Sequence, residues 1–166
     1  MSDEPSFDEL IRPLILPGFR LAVTMLGDRD AAEDAVQEAS VRAWQNARKL
    51  RDKTAAESWF LAIVANQCRT MRRRRWWSVL KFADVIGDKP RHEDAMVDSI
   101  DIDRALDRLN SDDRLALYLH FYLDMTFEEA ARVMGVSMTA ARSRTYRAME
   151  RLRPHLEPSM GVYADV

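Results

Sequence analysis

What constrains this chain most is how rarely it can turn. Among its 166 residues are 5 Gly and 6 Pro, whereas a sandwich or barrel needs a turn signal about every 8–12 residues. Long helices joined by few breaks are the expected architecture. A composition of 47% hydrophobic and 31% charged residues excludes a wholly disordered polymer, and the length suffices for one domain or two small ones.

Apolar periodicity agrees with helices. Ala32, Ala35, Val36, Ala39, Ala43 and Ala47 recur at spacings of three and four, a stripe of small side chains that lets a neighbouring helix approach closely. A second long helix is expected from Ala55 to about Arg75, with Phe60, Ile63, Val64, Cys68 and Met71 on one side. Before these, Pro13 and Pro17-Gly18 are expected to break or delay the first helical region over residues 7–26. Residues 84–100 lose the periodicity and collect Gly87, Pro90 and the acids Asp84, Asp88, Glu93, Asp94 and Asp98, the composition of a linker. Helical pattern resumes near Ile102, and again after a cap at Ser111 or Asp112 through Leu115, Leu119 and Tyr122. No internal repeat and no sustained strand-like alternation is present.

Charge is segregated at the scale of domains. The net charge is −2, but residues 1–41 carry −6, 42–81 carry +9, 82–113 carry −6 and 114–166 carry +1. Within the last block Arg142, Arg144, Arg147, Arg151 and Arg153 face one acid, Glu150, between 137 and 153. Each block alone fits a solvated helix face. Alternation of sign along the chain also permits a polyanion to touch two separated basic surfaces while the whole molecule stays near neutrality.

The C-terminal basic cluster sits in a recognisable frame. Thr126-Phe127-Glu128-Glu129 has the form of a capping box, Gly135 supplies a left-handed stop, Ser137 can cap a following helix, and Pro154 is expected to end it. Small Ala130 and Ala131 lie where two helices would cross. This is helix, tight turn, helix. In a DNA-reading version the second helix enters the major groove, so Thr139, Arg142, Ser143 and Arg144 in its N-terminal half would meet base edges or phosphates, while Arg147 and Arg151 are better placed for backbone contact or for the helix C-terminal dipole. An ordinary helical hairpin with a solvated arginine face has the same pattern.

Other chemistries find little support. One cysteine, Cys68, excludes intramolecular disulfides and thiolate-rich zinc sites and fits a reducing compartment. His92, His120 and His155 lack zinc-ligand spacing, and no glycine-rich phosphate loop is present. No enzyme, cofactor, metal or small-molecule substrate is therefore expected. The N-terminus is acidic where a signal peptide would be basic, and no apolar run approaches a membrane span. A cytoplasmic protein without membrane insertion is expected.

Two segments carry a family resemblance. DAVQEASVRAW at Asp34–Trp44, with WFLAIVANQCRTMRRRR at Trp59–Arg75, resembles region 2 of the extracytoplasmic-function (ECF) group of bacterial sigma factors. The segment LYLHFYLDMTFEEAARVMGVSMTAARSRTYRAMERLR is similar to their region 4. The resemblance implies an all-α fold of two small helical domains, a region 2 bundle over 1–82 and a region 4 helix-turn-helix over 102–157, joined by an acidic flexible linker over 83–101 and followed by a tail over 158–166. It also implies a transcription initiation subunit whose partners are core RNA polymerase, promoter DNA and an anti-sigma factor.

Site residues follow residue by residue. Asp34, Gln37 and Glu38 match the face that docks on the polymerase clamp. Lys49, Arg51, Lys53, Trp59, Asn66, Arg69, Arg72, Arg73, Arg74 and Arg75 match positions that recognise and melt the minus-ten element, Trp59 serving either as core or as a stacking platform. Trp76 and Trp77 fit packing or surface contact equally. Ser137, Thr139, Arg142, Ser143, Arg144 and Arg147 match readers of the minus-thirty-five element. Nineteen extended linker residues reach roughly 65 Å at ~3.3–3.6 Å each, close to the ~70 Å of two DNA turns. Two competing functions share parts of this pattern: a sigma-like mimic that sequesters an anti-sigma factor, and a dimeric repressor using only the helix-turn-helix.

Overall fold

The structure, a computed structural model, describes residues 6–81 and 100–160. The five linker acids and most of the tail lie outside these residues. The chain divides into two compact units, Met1–Pro90 and Arg91–Val166. Among the described residues every regular element is helical.

In the first unit, α1 (Phe7–Ile11) starts at a capping box in which Glu9 N donates to Ser6 Oγ and Ser6 N donates to Glu9 Oε2. The chain breaks at Pro13, inside a single 3-10 turn, and α2 runs Ile15–Leu26. Pro17-Gly18 causes no second break. Pro17 occupies the first turn of α2, where an amide has no intrahelical partner to lose. Gly18 is buried, and a Cβ placed on it would lie 3.1 Å from Phe60 Cε1 and 3.4 Å from Val64 Cγ2. Gly27 at φ +66° ends α2, and Asp28 then caps α3 (Arg29–Gln45), its Oδ1 accepting from Ala31 N at 3.0 Å. Ala32, Ala35, Val36, Ala39 and Ala43 are buried as the stripe requires, but α3 ends at Gln45, and Ala47, half-buried, opens a 3-10 turn beyond it.

Helix α4 (Ala56–Lys81) continues about a turn and a half beyond the expected end near Arg75, since nothing from Arg72 onward breaks it. Phe60, Leu61, Val64, Ala65 and Cys68 are all buried. That apolar sector is wider than one face because α2 and α3 both pack on α4, and on each other. Burial pushes the Cys68 thiol up to about 12 against the pull of Arg69 and Arg72, so it stays protonated through the physiological range. Alkylation by iodoacetamide at pH 8 is therefore expected to be at least on the order of 100-fold slower in the native chain than in urea; equal rates would place Cys68 at the surface.

In the second unit, α5 (Ile100–Asp107) is followed by α6 (Ser111–Leu117). The cap is Asn110 rather than Ser111 or Asp112. Asn110 is extended and its Oδ1 accepts from Asp113 N at 2.8 Å, whereas Ser111 is already helical and buried. A π-helical turn, Tyr118–Tyr122, stacks Tyr118 on Tyr122 at 5.0 Å.

Helix α7 (Phe127–Met134) begins with the Thr126–Glu129 capping box and ends at Gly135, φ +69°. Hydrogen bonds from the Thr126 backbone and then its hydroxyl hold the Glu129 carboxyl below the usual range. This cap is complete above the ordinary carboxylate range and is lost as pH falls through that lowered value. Ser137 Oγ then accepts from Ala140 N at 3.2 Å at the start of α8 (Met138–Met160). Pro154 does not stop α8. The ~3 kcal/mol disadvantage of an interior proline is offset by packing on both sides of it, Leu152 being buried and Leu156 resting on the cluster of Ala105, Leu109, Leu117 and Ala148.

Candidate nucleic-acid interface

The outer face of α3 presents Asp34, Gln37 and Glu38 to solvent, and Arg42 Nε donates to Glu38 Oε1 at 3.0 Å. These residues rim a groove of about 500 Å³ between α3 and α4, whose walls include Val41, Gln67 and Arg74. Gln67 is buried, and its Oε1 has no hydrogen-bond partner among the described residues. The sequence reading passed over Trp44, which is 70% exposed. Its spacing gives it away: 34, 37, 41 and 44 fall on one helical face.

On the other side of α4 a second groove, about 860 Å³, is walled by Leu26, Asn66, Arg69, Thr70, Arg73 and Trp76, among others. A chain of hydrogen bonds orders this wall. Arg69 Nη1 donates to Asn66 Oδ1 at 3.1 Å, Thr70 Oγ1 donates to Asn66 O at 3.0 Å, and Arg73 Nη2 donates to Thr70 Oγ1 at 3.4 Å. Arg75 reaches Asp28 Oδ2 at 3.4 Å.

The arginine run is thus not one surface. At about 100° per residue, Arg74 turns into the α3–α4 groove while Arg72, Arg73 and Arg75 line the larger one. Lys49 and Arg51 are exposed and Lys53 half-buried in the α3–α4 connection, where Asp52 Oδ1 accepts from Thr54 N. Trp59 is half-buried two turns before Asn66.

In the second unit, Ser137, Thr139, Arg142, Ser143 and Arg147 are all exposed, while Ala141, Thr145 and Ala148 are buried. Arg142 lies over the Tyr146 ring at 5.7 Å, and that ring is 5.9 Å from Phe127. Tyr146, exposed and one turn beyond Arg142, was not singled out in the sequence. Arg144 behaves differently from its neighbours. It turns toward α6, with Nη1 3.4 Å from Asp112 Oδ2 and Nε 3.8 Å from Asp113 Oδ1.

Comparison with known proteins assigns both units. The family model "Sigma-70 region 2" matches residues 10–78 and "Sigma-70, region 4" matches 99–152. The ECF RNA polymerase sigma factor SigC of Mycobacterium tuberculosis is 30% identical over 140 residues, covering 82% of this chain and 76% of that protein. The chain belongs to the ECF sigma factors of the sigma-70 family. SigE of Mycolicibacterium smegmatis, also an ECF sigma factor, is 31% identical over 92% of this chain, which spans 62% of that relative's length.

Solved structures share the fold of this sigma factor. The sigma factor RpoE from Bartonella quintana, solved with the anti-sigma factor NepR, superposes with a TM-score of 0.76 at 24% identity, covering 91% of this chain and 96% of that one. CnrH, solved with the cytosolic domain of CnrY, gives a TM-score of 0.65 at 23% identity over 92% of this chain and 88% of that one. The region 2 match covers both grooves and the region 4 match covers the helix-turn-helix. Among the described residues, no helix is long and apolar enough to cross a membrane.

Proposed function

We propose that this chain is a cytoplasmic, non-enzymatic initiation subunit that binds core RNA polymerase and directs it to promoters. The observation that carries the reading is the pairing of an acid-rimmed face with a basic groove on one unit, and a capped helix-turn-helix with exposed arginines on the other. Asp34, Gln37 and Glu38, extended by Trp44, form the polymerase-docking face. The groove of Asn66, Arg69, Arg72, Arg73 and Arg75 holds the melted minus-ten strand, with Lys49, Arg51, Lys53 and Trp59 flanking it. Thr139, Arg142 and Ser143 read the minus-thirty-five element, Ser137 and Arg147 contact its backbone, and Arg144 positions the helix. Anti-sigma partners are named for RpoE and CnrH; a protein of that class is the proposed regulator of this chain too.

The test is transcription in vitro with purified core polymerase on a genomic fragment library. Specific transcripts that require this chain are expected; binding to an anti-sigma factor without any transcript would instead support the mimic. Contact type also separates two variants. Arg142→Ala should cost about 1–3 kcal/mol and relax preference at one upstream position, whereas Arg73→Ala should weaken binding on every sequence and reduce the salt slope by about 1. Promoter binding by holoenzyme across a salt series checks both, and identical sequence-independent losses would remove the distinction.

A further inference from the structure

Beneath the acid-rimmed face of the first unit lies a polar atom that folding leaves unused. Gln67 is 5% exposed, and its Oε1 is out of water with no hydrogen-bond partner among the described residues. Its neighbours on α4, Val64, Ala65 and Cys68, are fully buried and apolar. A methionine would fill the same position and leave no acceptor unpaired, so the glutamine costs stability. Gln67, Met71 and Arg74 recur at spacings of four and three and so share one face of α4. They form one wall of the groove of about 500 Å³ whose other wall holds Asp34, Glu38 and Val41 of α3.

We propose, resting on the reading that the α3 face docks on core RNA polymerase, that Gln67 is a buried acceptor for an arginine side chain that the polymerase inserts into this groove. The groups around it specify the donor. Two carboxylates and one unpaired carbonyl oxygen all accept, so the group that serves them together carries positive charge and several N–H bonds. Arginine has five donors in a flat fork and is weakly hydrated, whereas the lysine ammonium is compact and holds its water. The chain's own arginines in the wall leave the place open: Arg42 donates through Nε to Glu38 at 3.0 Å, and neither it nor Arg74 bonds Gln67 Oε1. Both are exposed, and long side chains of this kind can swing aside as a partner enters. Rim charges and buried amide then divide the work. Exposed pairs speed encounter and are screened by salt, while a buried acceptor rejects any partner that leaves it unpaired. Gln67 is in this way a specificity-determining residue of the docking face.

The experiment measures melting point and affinity for purified core polymerase on the same full-length variants. Gln67→Met keeps the length of the side chain and removes the acceptor. Its melting point is expected to rise by about 4 °C or more, because an unpaired buried acceptor is gone. Its affinity for the polymerase is expected to fall about tenfold. Opposite signs are what a group kept for a partner produces. A melting point at or below wild type would show the amide already satisfied within the fold, by packing or by water, and would overturn the proposal; unchanged affinity would overturn it too. The donor is found by replacing each arginine of the polymerase clamp with alanine. One such variant is expected to lose about tenfold with the wild-type chain and nothing further with Gln67→Met; if every loss adds to that of Gln67→Met, no arginine reaches the amide. Asp34→Ala and Glu38→Ala separate the two levels. If they weaken polymerase binding while Gln67→Met does not, the buried acceptor alone fails; if none of the three does, the docking reading of this face fails with it.

Discussion

Phe60→Ala is expected to destabilise the first unit by about 3–5 kcal/mol, the range for truncating a fully buried phenylalanine. At ~4–8 °C per kcal/mol for a small domain, the melting point should fall by at least 12 °C or so. The ring has no solvent exposure, and its edge lies where a side chain on residue 18 would otherwise stand. Glycine there lets α2 approach α4, but it also leaves nothing able to collapse into the vacated space. Gly18→Leu alone should overpack the same contact by about 1–3 kcal/mol. Combined with Phe60→Ala it fills the hole, so the double variant should be more stable than the two single losses imply, a coupling of about 1 kcal/mol or more. Circular dichroism melts of the four proteins measure this. Additive losses would show that residues 18 and 60 do not share a site. Function follows packing here, because α4 carries the basic groove on one side and supports the acidic face of α3, the proposed docking face, on the other.

Local features of the fold were legible in the sequence, and long-range ones were not. The capping box at Thr126, the left-handed Gly135, the Ser137 cap and the alanine stripe each rest on residues within a few positions of one another, so spacing alone identifies them. Pro154 misled because what keeps α8 helical beyond it is Leu156 resting on a cluster that includes Ala105 and Leu109, some fifty positions earlier. Gly18 read as a breaker because its use, a close approach to Phe60, lies 42 residues away in sequence. The arginine run read as one patch until the continuation of α4 fixed the angular position of each side chain. Arg144 was grouped with its neighbours for the same reason. Its partners Asp112 and Asp113 lie on another helix, and no short-range pattern connects them.

Those partners make the second large prediction, which is one of non-additivity. Asp113 is 7% exposed, and its Oδ2 accepts from Arg151 Nη1 at 2.8 Å and from Asn110 Nδ2 at 2.9 Å, while Arg144 Nε stands 3.8 Å from Oδ1. Arg151 and Arg144 are themselves 60% and 33% exposed, so either can return to water when its partner is lost. Removing one arginine leaves the buried carboxylate with the other, and Arg144→Ala or Arg151→Ala alone should cost about 1 kcal/mol. Removing both leaves the buried carboxylate with the neutral Asn110 amide in place of two cations, and the double variant should lose about 3–5 kcal/mol, well beyond the sum. Denaturant unfolding of the two single variants and the double variant measures the coupling. The same geometry separates Arg144 from Arg142 in function. Arg144→Ala should lower transcription evenly across upstream-element sequences, because it loosens the seat of α8 on α6 rather than deleting a base contact. A changed sequence preference with unaltered stability would make Arg144 a reader and return it to the face where Arg142 stands.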